Sequence, residues 1–541
     1  MKATRIPLLL MAICSLCEST NPIARTKNGD VEGLQLNVYG ESVHAFLGIP
    51  YARPPTGILR FQRPLPKAPW SKVKKTRTFG KRCLQEAPLD VPSDPYAPVP
   101  KMGEDCLYLN IWSPATRNNS KAVMVWVHGG EFKEGSSDNP LFDGSVLAAT
   151  QGVVVVSFNY RLGFLGFLNA VNVNASGNAG LYDQVLALKW IKDNIEAFGG
   201  NASRVTLFGE DAGSMAIRLH IFSPVTRGLF QRVIMQGGAF YASRGVESTS
   251  RGLLKADALA VEVGCSKSTH SLVSHPHDVL ECLKSRPALE LISAQAELHL
   301  QGIESPLPTY GTEFLPQNPD LIFALKGFTD AEILMGHSDA ESRKFIFSVL
   351  DGRFESLRKQ NNMTVKDGEV ALHVLLSALG YRRPSASEIV QQCLGSTQPC
   401  DPSGVVEAVE RCAKDFAVLC PSVALAYKLA DAGLTTYYYA ISYIPADTET
   451  YSRNHVDRLT EASLVFGSPS RFPGKYEESD RTFSDMLMHI WAQFAKDGKP
   501  PAVHGTLWPP FSEAGPLYVE LGPAQKFLKQ IEASLCKQSK K

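Results

Sequence analysis

Five nearly continuous apolar runs stand out along the chain, at residues 123–127, 153–160, 205–208, 333–335 and 437–443. They are short and rich in β-branched and aromatic residues, and their apolar positions are consecutive rather than alternating. Such runs read as strands buried on both faces, as in a parallel sheet covered by helices. Between the second and third run, Leu181, Val185, Leu188, Ile191, Ile195 and Phe198 recur at helical spacing. Strand, helix, strand in that order predicts a right-handed crossover and an α/β fold. Residues 340–430 are mostly helical in pattern and read as a cap beside the sheet. Pro-rich stretches at 87–100 and 499–510 read as surface loops. No internal repeat, low-complexity tract or long linker divides the chain.

The ends of the pattern carry a different signal. Lys2 and Arg5 precede an apolar stretch over 6–17 followed by small polar residues, the layout of a secretory signal peptide over 1–20. Residues 21–541 then read as one domain, since a large sheet with long insertions absorbs such a length. Cys14 and Cys17 fall inside the leader, which removes them as a redox or metal pair. Nine cysteines remain, and in an oxidising compartment most should pair. The odd one is read as Cys536, either free or linking two chains as a disulfide-bonded dimer. Asn118, Asn174, Asn201 and Asn362 begin Asn-x-Ser/Thr triplets, candidate glycosylation sites of a secreted protein. The net charge of +1 gives no overall basic field for nucleic acid, and no later run is long enough to span a membrane. The pair His275-Pro-His277 has no carboxylate or cysteine in register and reads as an exposed loop, so no metal and no cofactor is expected.

Chemistry concentrates at Gly209-Glu-Asp211-Ala-Gly213, where an apolar strand ends and a small-residue helix begins. This is the frame of a nucleophile elbow, with a sharp turn that lifts its central side chain above the sheet edge. Backbone N–H groups at the helix start can hold an oxyanion. The central residue here is an aspartate.

From this point the chain resembles the type-B carboxylesterase/cholinesterase family from end to end. The likeness is carried by Phe46-Leu-Gly-Ile-Pro-Tyr-Ala-Arg-Pro-Pro-Thr-Gly-Ile-Leu-Arg-Phe61, Glu104-Asp-Cys-Leu-Tyr-Leu-Asn-Ile111 and Val125-Trp-Val-His-Gly-Gly130. It continues through Asn159-Tyr-Arg-Leu-Gly-Phe-Leu-Gly-Phe167, Gly177-Asn-Ala-Gly-Leu-Tyr-Asp-Gln184, Phe198-Gly-Gly-Asn201, Val465-Phe-Gly467 and Trp491-Ala-Gln-Phe-Ala495. The resemblance implies an α/β-hydrolase fold, with a large mostly parallel sheet and helical cap insertions. It implies disulfides Cys83–Cys106 and Cys265–Cys282, leaving Cys393, Cys400, Cys412 and Cys420 to pair locally in one of three ways.

Active members of that family use serine, glutamate and histidine. The matching positions here are Asp211, Glu341 and, nine residues before Gly467, Arg458. The implied oxyanion-hole positions are Gly129, Gly130, Glu131 and Ala212, with Glu131 where a third glycine is usual. The serine of the family's Gln-Ser-Gly becomes glycine in Gln236-Gly237-Gly238. Aspartate has no hydroxyl, and arginine stays protonated and accepts no proton. Loss of a triad serine or histidine costs on the order of a millionfold in one protease. The expected function is therefore that of a catalytically inactive, secreted relative that binds a partner protein or a small hydrophobic ligand. Neuroligins, neurotactin, glutactin and the cholinesterase-like domain of thyroglobulin are precedents for such reuse. The alternative is an active ester hydrolase with a rearranged site, or an Asp-nucleophile hydrolase whose base would be His455. Arg458 is expected between Asp211 and Glu341, where one guanidinium balances two carboxylates.

Overall fold

The computed structural model describes residues 21–86, 101–116, 120–237, 245–325, 327–339, 341–342, 346, 349–350, 352–395, 401–443, 460–503, 505–522, 528–530 and 536. Eleven strands form one sheet: β1 (Leu34–Val38), β2 (Glu41–Pro50), β3 (Tyr108–Pro114), β4 (Lys121–Val127), β5 (Val154–Phe158), β6 (Gly200–Glu210), β7 (Arg232–Gln236), β8 (Glu332–Ser338), β9 (Thr436–Ile441), β10 (Leu517–Leu521) and β11 (Leu528–Gln530). Their spatial order is β11-β10-β9-β8-β7-β6-β4-β5-β3-β2-β1. From β5 across to β10 every neighbouring pair is parallel, and the antiparallel pairs lie at the two margins. Each of the five apolar runs forms or overlaps one of these parallel strands.

The consecutive apolar positions are explained by two buried faces. On β4, Val123, Val125 and Val127 pack into one layer, whereas Ala122, Met124 and Trp126 pack into the other. The first layer is covered by α1 (Ala179–Asn194) and α2 (Ala212–Phe222), the second by α7 (Thr460–Val465) and α8 (Glu478–Asp497). Helix α1 carries the chain from β5 over β4 to β6, the crossover that the 181–198 pattern predicts. Its last turn, Ile195–Phe198, tightens to a 3₁₀ helix. Fully burying one Val, Leu, Ile or Phe side chain stabilises by about 1.5–3 kcal/mol, so the two layers dominate the fold's stability.

The cap is helical, as its pattern indicates: α3 (Val365–Ala378), α4 (Arg383–Leu394) and α5 (Pro402–Ala413) pack around a core of their own. A π-helical segment, Lys414–Leu419, joins α5 to α6 (Cys420–Asp431), which belongs to the sheet's first layer.

Disulfides join Cys83 to Cys106, Cys265 to Cys282, Cys393 to Cys412 and Cys420 to Cys536. The last corrects the sequence reading of Cys536 as free or as a link between two chains, and of Cys420 as part of a purely local set. Residue 536 follows the sheet's terminal strands and comes back beside the start of α6, with 5.2 Å between the two Cα atoms across 116 residues of sequence. Cys400 lies outside the described residues, as do the leader, Asn118 and the loop 87–100. Among the described residues no helix is long and apolar enough to cross a membrane.

Candidate functional site

The carboxyl ends of β4, β6, β7 and β8 lie side by side. Gly209 is level with Val127, Glu210 with Gln236, and Gln236 with Gly336. The four segments that leave these ends carry His128–Glu131, Asp211, Gly237 and Glu341. Ligand sites of open α/β sheets form at this edge.

Asp211 is the turn between β6 and α2, with φ 57° and ψ −122°. A non-glycine residue at such φ is strained, and the surroundings over-determine it. Its N–H donates to Gln236 O (3.3 Å), and its carbonyl accepts from Met215 N (3.0 Å). The flanking glycines are needed for close approach. A Cβ on Gly213 would lie 2.0 Å from Val127 O, and one on Gly209 would lie 2.6 Å from the same atom.

The Asp211 carboxylate is turned onto the loop that follows β4. Its Oδ2 accepts from the N–H of Gly130 (3.0 Å) and the N–H of Glu131 (3.3 Å). These two sequence-predicted oxyanion positions are thus brought onto Asp211. Gly129 lets the loop come this close, since a Cβ there would sit 2.7 Å from Glu210 O and 3.1 Å from the Asp211 Cβ. Ala212 opens α2 next to the elbow and is fully buried. Glu131 adopts φ 54° and turns its carboxylate to Lys133 Nζ at 2.8 Å.

The loop rests on a buried aromatic support. His128 stacks on Tyr160 with ring centroids 4.3 Å apart, and the Tyr160 hydroxyl donates to His128 O at 2.8 Å. Burial pulls His128 down to about 4, so its ring is neutral and donates to Gly129 O. It holds the loop in place and is a poor proton acceptor at neutral pH.

Glu341 follows β8 and reaches across to β7. A Cβ built on Gly237 would fall 1.3 Å from Glu341 Oε1. The carboxyl group therefore fills the space that a serine side chain at 237 would take. Ser214, on the elbow helix, donates to Gly237 O at 2.7 Å and ties the two segments together. Arg458 and His455 lie outside the described residues.

A further carboxyl group belongs to this neighbourhood and was not singled out in the sequence. Glu461, on α7, is buried and accepts a hydrogen bond from the Tyr439 hydroxyl. Burial raises its carboxyl to about 7. Burial first, then the charges of Glu461, Glu341 and Glu210, push the Tyr439 hydroxyl well above its ordinary range, so the three carboxyl groups share one surrounding. The available signal was a charge four residues before the matched stretch Val465-Phe-Gly467. Among the described residues no three His, Cys, Asp or Glu side chains are grouped to hold a metal. His275 precedes the helix Pro276–Ser285, so the stretch read as a loop is that helix's first turn.

A mixed sheet with helices on both faces and a strained elbow at its carboxyl edge defines an α/β-hydrolase fold. Residues 20–539 match the family described as Carboxylesterase family, and the chain belongs to it. It is 32% identical over 520 residues to "Acetylcholinesterase-1" of Trittame loki, covering 93% of this chain and 91% of that one. It is also 32% identical over 527 residues to "Cholinesterase" of Mus musculus, covering 95% and 85% respectively.

Proposed function

We propose that this chain is a secreted, glycosylated member of the carboxylesterase family that does not hydrolyse esters through an acyl-enzyme. It acts instead by binding a partner protein or a small hydrophobic ligand. The observation that carries this reading is the Asp211 carboxylate seated on the N–H groups of Gly130 and Glu131. Acyl transfer needs such donors for the oxygen on which charge develops. Here a fixed carboxylate already satisfies them, and it brings no hydroxyl to attack with. Arg458, in place of a histidine, supplies no base. The names of the two cholinesterase relatives therefore transfer as ancestry and not as activity.

The test is incubation with a fluorophosphonate probe and with general ester substrates. The expected outcome is no label surviving denaturation and no hydrolysis above buffer. Stoichiometric labelling would overturn the reading. Native mass analysis of protein from its source then identifies what is bound.

One feature of the same geometry favours a second reading. An aspartate nucleophile that forms an alkyl ester needs its other carboxylate oxygen held by backbone donors when water attacks, and Oδ2 is held in that way. Hydrolysis of the ester also needs a histidine base, for which His455 is the candidate. Turnover of epoxides or haloalkanes in ¹⁸O-water would place ¹⁸O in the Asp211 carboxylate. A peptide unchanged in mass excludes this route.

A further inference from the structure

The net charge of +1 conceals a stretch of one sign. From Arg60 to Gln85 the chain carries four arginines and five lysines, with no aspartate or glutamate. The structure separates them by type. All four arginines are paired: Arg60 with Glu104 at 2.6 Å, Arg63 with Glu313 at 2.8 Å, Arg82 with Asp138 at 2.7 Å, and Arg77 with Glu32. Among the described residues, none of Lys67, Lys72, Lys74, Lys75 and Lys81 has a carboxylate partner. Lys72, Lys75 and Lys81 are exposed, and Lys74 lies over the Trp70 ring at 5.4 Å.

The backbone bearing these lysines is a strap of short β-pairings joined by bends. Lys74–Lys75 pair in parallel with Val31 and Glu32 of a small N-terminal sheet. Thr76 N donates to Glu32 O, and Thr76 O accepts from Leu47 N. Further on, Arg82–Cys83 pair with Met102–Gly103, which brings the exposed Lys101 alongside. At about 3.3 Å per residue for fully extended chain, Lys72 and Lys81 are at most roughly 30 Å apart along the strap. The β-pairings and the Cys83–Cys106 disulfide fix it to the body of the protein.

We propose that this strap, with Lys67 and Lys101 at its flanks, binds a linear sulfated polysaccharide of the glycosaminoglycan class. Lysine ammonium groups are compact point charges suited to sulfates that need no two-pronged contact. Unpaired like charges held along a fixed strap repel one another, and a polyanion laid along them removes that repulsion. A linear polymer matches a linear array. The disulfide framework belongs to an oxidising, extracellular setting, where sulfated polysaccharides are the abundant linear polyanions. A membrane fits less well. The strap's own apolar side chains, Val73 and Phe79, are only 46% and 38% exposed and offer little to insert into a bilayer. The proposal does not depend on the chemistry at Asp211.

The experiment titrates the purified chain with size-defined heparin at about 0.15 M salt and repeats it across salt concentrations. Saturable binding is expected, abolished by desulfating the polymer. The variant Lys72→Gln/Lys74→Gln/Lys75→Gln/Lys81→Gln should bind at least tenfold more weakly. Its salt-dependence slope should fall by about three to four, near one per lysine removed. A control, Lys189→Gln/Lys267→Gln/Lys366→Gln/Lys499→Gln, should bind as the unmodified chain does. Acetylation footprinting of the unmodified chain gives a readout that no variant's folding can confound: heparin should protect Lys72, Lys75 and Lys81. No binding, equal loss in both variants, or no protection would overturn the proposal. Sedimentation with phosphatidylserine vesicles without heparin binding would overturn it in favour of a membrane surface.

Discussion

Asp211 and Glu461 are two carboxyl groups in very different surroundings. Asp211 is partly buried and solvated by backbone N–H groups of the loop that follows β4. Glu461 is fully buried and has the Tyr439 hydroxyl beside it, which does not offset the loss of water. The consequence is a pH dependence with a definite sign. Its folded-state value of about 7 lies above the ordinary 4.5. The folded chain therefore holds a proton that the unfolded chain has released, and this stability is complete below about 4.5 and lost as pH rises through 7. Glu461→Gln should remove that loss. Denaturant unfolding should find the variant equal to the parent near pH 4.5 and more stable by about 2–3 kcal/mol above pH 8. Parallel pH curves for the two proteins would show that Glu461 is not the group responsible. At the elbow, Asp211→Ser frees two donors but supplies no base, so ester hydrolysis should stay near background. A large rate gain in that single variant would point to another proton acceptor.

The elbow is the element on which the site depends, and it is held by contacts too close for side chains. Gly213→Ala would set a methyl group 2.0 Å from Val127 O, a backbone atom of the central strand β4 that cannot step aside. The expected cost is about 2–3 kcal/mol, by overpacking. A chemical denaturation curve checks it, and a neutral result would mean that α2 can slide away from β4. The glycines at 209 and 213 were legible as an elbow because only glycine tolerates such approach. The position of Glu341 was not legible. A glutamate in a loop carries no local sign of the neighbour it leans on, and its seat against Gly237 exists only because β7 and β8 are adjacent. The cap shows the same division. Its helices follow from local apolar spacing, whereas the π-helical junction at Lys414–Leu419 reflects the demand to satisfy two separate cores at once.

At the scale of the molecule, the Cys420–Cys536 link closes a loop of 116 residues that includes β9, β10, β11, α7 and α8. Closing so long a loop restricts the unfolded chain by about 4–5 kcal/mol in the chain-entropy account. Cys536→Ser should lower stability by 2–5 kcal/mol on that basis, measured by denaturant unfolding. Non-reducing peptide mapping should recover the 420–536 pair, and a Cys536–Cys536 peptide would contradict the intramolecular link. The sequence by itself determined five of the seven parallel strands, the helix between two of them, the glycine frame of the elbow and the aspartate at its centre. Each of these is a local matter, written in apolar spacing, in glycines at a tight turn, or in the chemistry of one side chain. Tertiary structure alone decided where the Asp211 carboxylate points, which space Glu341 fills, that Glu461 is buried beside Tyr439, and which cysteine meets Cys536. These are contacts between segments far apart in the chain. Their energies depend on distance and on access to water, quantities that exist only once the sheet has brought the segments together.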